Sequence, residues 1–212
     1  MKLKHFSLIF SVIGIACLYF LSTLSQPILI ELKDVPKYED KNVIVEGIVT
    51  EHYLTSFGSQ IITIENDNAS TTVFVEGETE IEYGDKIQAT GKVQKYKGEW
   101  EIVVDNENFV KVIQKWQNIS IPLWQLSASP EKYEGLNVNV TGYIDTIYDT
   151  YFYLADPDGN YSIIVFCNPP KYNVHSGQKV SVAAKFIFNK EEFRYRLDVS
   201  DETHGISMAA GD

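Results

Sequence analysis

A chain of 212 residues has room for one large domain or two of about 100 residues each. Its 44% hydrophobic and 13% aromatic content, with 13 Tyr and 11 Phe, excludes a disordered polymer and favours a β-rich fold. A net charge of −11 excludes a protein that coats polyanions through its overall charge, and the two cysteines, Cys17 and Cys167, lie too far apart in role to form a disulfide within one domain.

The chain opens on "MKLKH" and then runs for 19 residues, Phe6 to Leu24, without a charge. That approaches the roughly 20 residues a helix needs to cross a bilayer. Residues 1–25 therefore read as a membrane anchor or signal segment, with residues 6–24 in the lipid. The run exceeds the about 7–15 residues of a signal-peptide core, which favours retention, and "TLS" before Gln26 is the cleavage alternative. Lys2 and Lys4 assign the N-terminus to the cytoplasm. Everything after Gln26 is then expected on the extracellular or periplasmic side of the cell membrane, in a single-pass layout.

Residues 27–116 read as a first β domain. After a helix-like lead, "IELKDVPK", comes "NVIVEGIV", where Val43 and Val45 alternate and Gly47 interrupts: a half-buried strand with a bend. "QIITIEND", "TTVFVEG", "YGDKIQATGKVQ" and "EWEIVVDN" supply four more strands, with the connector "ETEIEYG" between the third and fourth. At the joint "KWQNISIPLWQ", Trp116 and Trp124 flank Asn118 and Pro122, and large aromatics on both sides of a short connector predict that the two halves pack together. Residues 122–202 repeat the order: the lead "PLWQLSASPEK", then "NVNVTGYI" with Val138, Val140 and Gly142, then "YFYLADPDG", "YSIIVFCN", the connector "PPKYNVHSG", "HSGQKVSVAAKF" and "EFRYRLDVS". "YEDKNVIVEGIV" at Tyr38 returns 95 residues later as "YEGLNVNVTGYI", and Gly84 returns as Gly177 at an offset of 93. Residues 203–212 read as a tail. The expectation is an all-β chain of two tandem five-stranded barrels after the N-terminal helix, each with a curved first strand serving both its sheets.

Five strands, a Gly-kinked first strand and a connector between strands three and four match the OB-fold. The phrases "NVIVEGIV", "YGDKIQATGKV" and "NVNVTGYI" resemble the nucleic-acid-binding OB-folds of the tRNA-anticodon-binding and single-stranded-DNA-binding type, over about residues 31–201. The resemblance implies a single-stranded nucleic acid or another extended polymer laid across strands two and three, between the loops joining strands one to two and four to five. Those positions carry Tyr53, Phe57, Lys92, Lys95, Tyr96 and Lys97 in copy one, and Tyr148, Tyr151, Lys190, Arg194 and Arg196 in copy two. Cations mixed with aromatics suit phosphate neutralisation plus base stacking, worth about 1–3 kcal/mol per base. A plainer reading competes. In "EFRYRLDV", Phe193, Tyr195, Leu197 and Val199 alternate with Arg194, Arg196 and Asp198, as a core face alternates with a solvated one, and Trp100, Ile102 and Val104 do the same. Both halves are acidic, a net −8 over residues 27–118 and −5 over 119–212, so binding to a polyanion would be local and salt-sensitive.

Four glycosylation sequons stand at Asn68, Asn118, Asn139 and Asn160, a pattern suited to a translocated protein. Asp156, Asp158 and Asn160 have calcium-loop spacing but lie between two strands, where a tight turn is expected. His52, His175 and His204 lack metal-ligand spacing, and no nucleophile, phosphate loop or acid–base pair is legible, so no catalysis and no cofactor are assigned. Two other readings stand beside nucleic-acid binding. One is an envelope-assembly factor that docks a protein partner through a loop or strand edge. The other follows from a looser likeness to the periplasmic haem chaperone of cytochrome c maturation, with Cys167 five residues before Tyr172.

Overall fold

The computed structural model describes residues 11–18, 26–167 and 174–209. Residues 11–18 are helical; the remainder of the anchor segment, and Tyr172, lie outside the described residues. Among the described residues no helix is long and apolar enough to cross a membrane.

The first unit is built by β1 (Ile28–Leu29), β2 (Asn42–Leu54), β3 (Gln60–Asn66), β4 (Ala69–Val75), β5 (Lys86–Tyr96), β6 (Glu99–Val104) and β7 (Val110–Gln114). The second is built by β8 (Ser120–Pro122), β9 (Asn137–Ile147), β10 (Tyr151–Ala155), β11 (Ser162–Phe166), β12 (Lys179–Asn189), β13 (Arg194–Asp198) and β14 (Gly205–Met208). Five strands close each ring, in the order β2-β3-β4-β6-β5 and back to β2, then β9-β10-β11-β13-β12 and back to β9. The third and fifth strands of each ring run parallel and the other ring pairings are antiparallel. This is the OB topology, twice.

Closure depends on the curved first strand. The early part of β2 pairs with β5, and its later part, from Ile48, pairs with β3. Likewise β9 passes from β12 to β10 at Tyr143. Gly47 and Gly142 sit on the inward phase beside these transfer points, where the next strand crosses closely. A Cβ on Gly47 would lie 2.9 Å from Ile64 Cβ, and one on Gly142 would lie 2.8 Å from the Ala155 carbonyl oxygen. The repeated glycine of the two phrases is thus a packing requirement of the bend.

Alternation then fills the rings. Val43, Val45, Val49, Ile62, Ile64, Val73, Ile87, Val93 and Ile102 pack the first core, and Val138, Val140, Ile144, Leu154, Val165, Val182, Phe186 and Leu197 pack the second. The helix-like leads close one side of each core. The 3-10 helix Leu32–Tyr38 buries Leu32 and Val35, and the α-helix Leu123–Ala128 buries Leu123 and Leu126.

Sequence periodicity did not reveal the flanking strands, which also repeat. β1 and β8 each add parallel to a first strand, and β7 and β14 each add antiparallel to a fourth. The residues read as a tail therefore include a strand, and the second sheet runs from Ser120 to Met208. Phe193, expected in the core, is 83% exposed in the β12–β13 turn at a φ of 51°.

At the joint the two tryptophans part company. Trp116 is 1% exposed, whereas Trp124 is 55% exposed. The Trp116 indole N–H donates to Glu82 at 2.8 Å, and its ring meets His204 edge-on at 5.9 Å. Gly84, at a φ of 92°, lets the first barrel approach so closely that a Cβ there would lie 2.4 Å from the Asn137 carbonyl oxygen of the second. His204 is buried; its Nδ1 accepts from the Ser200 and Asp201 N–H groups at 3.3 and 3.2 Å, so Nε2 carries the proton and faces Asn137 Oδ1 at 3.2 Å. Burial pushes its pKa below the usual value, against the raising pull of Asp201, Asp198 and Glu82 and with the lowering push of Lys185. A depressed histidine pKa means that the fold prefers the neutral ring. This contribution is complete above the unfolded-state pKa of about 6.5 and is lost as pH falls below it. A His204→Phe variant should accordingly show a smaller difference in Tm between pH 7.5 and pH 5 than the native chain; an unchanged difference would remove His204 from the joint's pH response.

Candidate functional site

On a ring of this topology the broad outer surface is made by the outward side chains of the second, third and fifth strands. In the second barrel these are Tyr151 and Tyr153 on β10, Ser162, Ile164 and Phe166 on β11, and Arg194 and Arg196 on β13, all out of phase with the core residues Phe152, Leu154, Ile163, Val165 and Leu197. Register sets Tyr151 beside Phe166, Tyr153 beside Ile164, and Ile164 beside Arg196.

Tyr148 closes the β9–β10 turn through its N–H to the Tyr151 carbonyl at 2.8 Å, and its ring stacks on Tyr151 with centroids 4.6 Å apart and planes at 21°. Tyr153 presents its ring near-perpendicular to both, at 6.2 and 5.9 Å. Burial first, then the neighbouring Tyr148 and Tyr153, push the Tyr151 phenol above its ordinary pKa, so its ring stays neutral at physiological pH.

The Arg196 guanidinium lies 4.9 Å from the Phe166 ring centroid and 3.2 Å from Asp198, and its buried Nε has no hydrogen-bond partner among the described residues. Arg194 pairs with Glu192 at 2.6 Å. β11 and β13 are paired only from Ile164 and Arg196 onward. Ahead of that pair the strands part, and Ser162, Ile163, Arg194 and Tyr195 line a cleft of about 300 Å³ floored by Leu126 and Phe186. The result is a neutral aromatic platform, an apolar cleft and two guanidinium groups within one face, able to stack flat rings and hold a small number of anionic groups.

Tyr148, Tyr151, Arg194 and Arg196 are thus brought together as expected from their loops, whereas Lys190 is exposed in the turn beyond the Asn189 and Arg194 pair. Tyr153 and Phe166 were missed. The alternation in "YFYL" puts Tyr151 and Tyr153 on one side, but which side faces out is decided by register.

In the first barrel the expected residues disperse. Phe57, 94% exposed, tips the β2–β3 loop, and Tyr53 opens an outer row. Lys92 ends that row tied to Asp40 at 2.8 Å. Lys95 sits on the inward phase over the Trp100 ring at 5.3 Å, and Lys97 covers Tyr96 at the hairpin turn at 5.0 Å. Trp100 packs against the core.

Of the sequons, Asn68, Asn118 and Asn160 are exposed. Asn139 is not free for modification in the folded chain: its amide donates to the Gln117 carbonyl at 2.7 Å and accepts from Ser181 at 2.5 Å. Asp156 is spent on its turn, accepting from the Tyr161 N–H at 2.8 Å. Cys167 is buried, which is unsuited to attaching a haem.

No protein-family model and no curated protein sequence matches the chain. Solved structures share the barrel. Asparaginyl-tRNA synthetase from Pyrococcus horikoshii is similar at 20% identity and TM-score 0.36, over 50% of this chain and 28% of that one, so the chain spans under a third of the synthetase. The telomere capping protein Ten1 from Saccharomyces pombe is similar at 13% identity and TM-score 0.31, over 41% of this chain and 81% of that one. A murine DNA-binding protein, solved with double-stranded DNA, is similar at 14% identity and TM-score 0.31, over 81% of this chain and 97% of that one.

Proposed function

We propose that the protein is a non-enzymatic, membrane-anchored tandem OB-fold protein whose barrels face outward and whose second barrel binds single-stranded nucleic acid. One observation carries the ligand: the neutral platform of Tyr148, Tyr151 and Tyr153 lies on the same face as Arg194 and Arg196. Bases have π-faces of any sequence, so the platform favours single strands without strong sequence preference. The uncharged run Phe6 to Leu24, preceded by Lys2 and Lys4, supports the anchor and its orientation. Asn68, Asn118 and Asn160 are the acceptors this topology would offer in a glycosylating cell.

Anisotropy of fluorescein-labelled oligo-dT and oligo-rU against the full chain in non-ionic detergent tests the ligand. With two arginines on the face, each paired with a carboxylate that a phosphate would have to displace, the slope of log K against log salt should be negative and no steeper than about −1.4, about −0.7 per phosphate neutralised on a single strand. Absence of binding at low salt would end the nucleic-acid reading. Protease added to intact cells should remove the barrels, and their protection would overturn the orientation.

A further inference from the structure

The two barrels carry opposite charge at equivalent places. Val73 pairs with Ile102 on the inner side of the first barrel as Val165 pairs with Leu197 in the second. Aligned on these pairs, Phe74 stands where Phe166 stands, while Glu101 takes the place of Arg196 and Glu99 that of Arg194. Where the second barrel carries guanidinium groups balanced by Glu192 and Asp198, the first carries carboxylates.

The surroundings reinforce the inversion. Register lines up Tyr53, Ile61, Phe74 and Val103 as one apolar row across β2, β3, β4 and β6. The next row holds Glu51, Thr63, Thr72 and Glu101, with Gln94 donating to Glu101 at 2.6 Å. Glu99 is exposed at the start of β6. Three cations lie near this face, but Lys92 is tied to Asp40, Lys95 is on the inward phase against Trp100, and Lys97 sits on Tyr96 at the turn, so none is paired with Glu99 or Glu101, whereas in the second barrel Arg194 and Arg196 are balanced by Glu192 and Asp198. A phosphate backbone laid here would meet repulsion, whereas an apolar stripe edged by carboxylates matches a chain that alternates apolar and cationic residues.

We propose that the outer face of the first barrel docks an extended, cationic segment of a protein partner, its apolar side chains on Tyr53, Ile61, Phe74 and Val103 and its lysines or arginines on Glu51, Glu99 and Glu101. The two barrels would then serve different ligands, and the first face works whether or not the second binds nucleic acid.

The test uses the full chain in non-ionic detergent and a fluorescein-labelled dodecapeptide alternating lysine with valine, against a counterpart with glutamate for lysine. The lysine peptide should bind and the glutamate peptide should not. Affinity should weaken steeply between 50 and 300 mM salt and fall at least tenfold in a Glu99→Arg/Glu101→Arg variant whose melting curve is native-like. Tyr151→Ala should leave peptide binding unchanged. Three results would overturn the proposal: equal peptide affinity in the charge-reversed variant, oligo-dT binding that is lost in Phe74→Ser but kept in a Tyr148→Ala/Tyr151→Ala variant, or a concentration-dependent dimer that dissociates on charge reversal, which would assign the face to a second copy.

Discussion

Asp85→Ala is expected to lower the stability of the chain by about 3 kcal/mol, since a buried carboxylate that satisfies backbone donors leaves them stranded when removed. Asp85 is fully buried. Its Oδ2 accepts from the Glu82 N–H at 3.0 Å and from the Lys115 ammonium at 2.9 Å, and its Oδ1 accepts from the Trp116 N–H at 3.2 Å. Lys115 softens the loss because its side chain is 38% exposed and already reaches Glu82 at 3.5 Å. The backbone donors have no such recourse. Alanine supplies no acceptor to Glu82 or Trp116, and each buried N–H without a partner costs about 1–3 kcal/mol.

The damage should concentrate at the joint. Asp85 fixes the backbone of Trp116, whose ring is the buried contact with His204, and it follows Gly84, which abuts Asn137. Urea unfolding followed by tryptophan fluorescence should show the destabilisation. Asp85→Asn, which keeps one acceptor oxygen but turns an amide donor toward other donors, should fall between the native chain and alanine. A loss below about 1 kcal/mol for Asp85→Ala would show that water or a shifted Lys115 satisfies these groups.

The same corner shows what the sequence could and could not say. Gly84 and Gly177 were legible as an offset pair, and so was the strand each introduces. The residue after each glycine does the same task in both copies: Asp85 accepts from Glu82 N–H at 3.0 Å, and Gln178 accepts from His175 N–H at 2.9 Å. Because Asp and Gln differ in type, a capped turn was hidden in a non-matching column. Barrel order was readable because alternation and inward glycines are local signals. Faces were not, because Tyr153, Phe166 and the Glu99 and Glu101 pair acquire meaning only when a parallel pairing between non-adjacent strands fixes their neighbours. β1, with two residues, and β8, with three, are too short to show any period. Trp116 and Trp124 looked alike at the joint, yet it is the first that is buried, with Glu82 accepting from its indole and His204 against its ring.

Removing Tyr148 and Tyr151 together should weaken binding of oligo-dT by roughly 5- to 150-fold, which is the loss of about one base stack at 1–3 kcal/mol. The geometry makes the two single variants unequal to half of that. The rings lie 4.6 Å apart and nearly parallel, so each shields one face of the other and a base can use only an outer face. Tyr148→Ala uncovers Tyr151, which then offers the platform in its place, and the single change should cost only a few-fold. Tyr→Phe at both positions keeps the π-faces and should bind as the native chain does. Arg194→Ala and Arg196→Ala should act on the other observable, each making the salt slope shallower by no more than about 0.7 with a smaller effect at high salt. Tyr148 is 48% exposed, so its truncation should leave the melting curve in place. Native-like oligo-dT affinity in the double alanine variant would take the ligand off this face altogether.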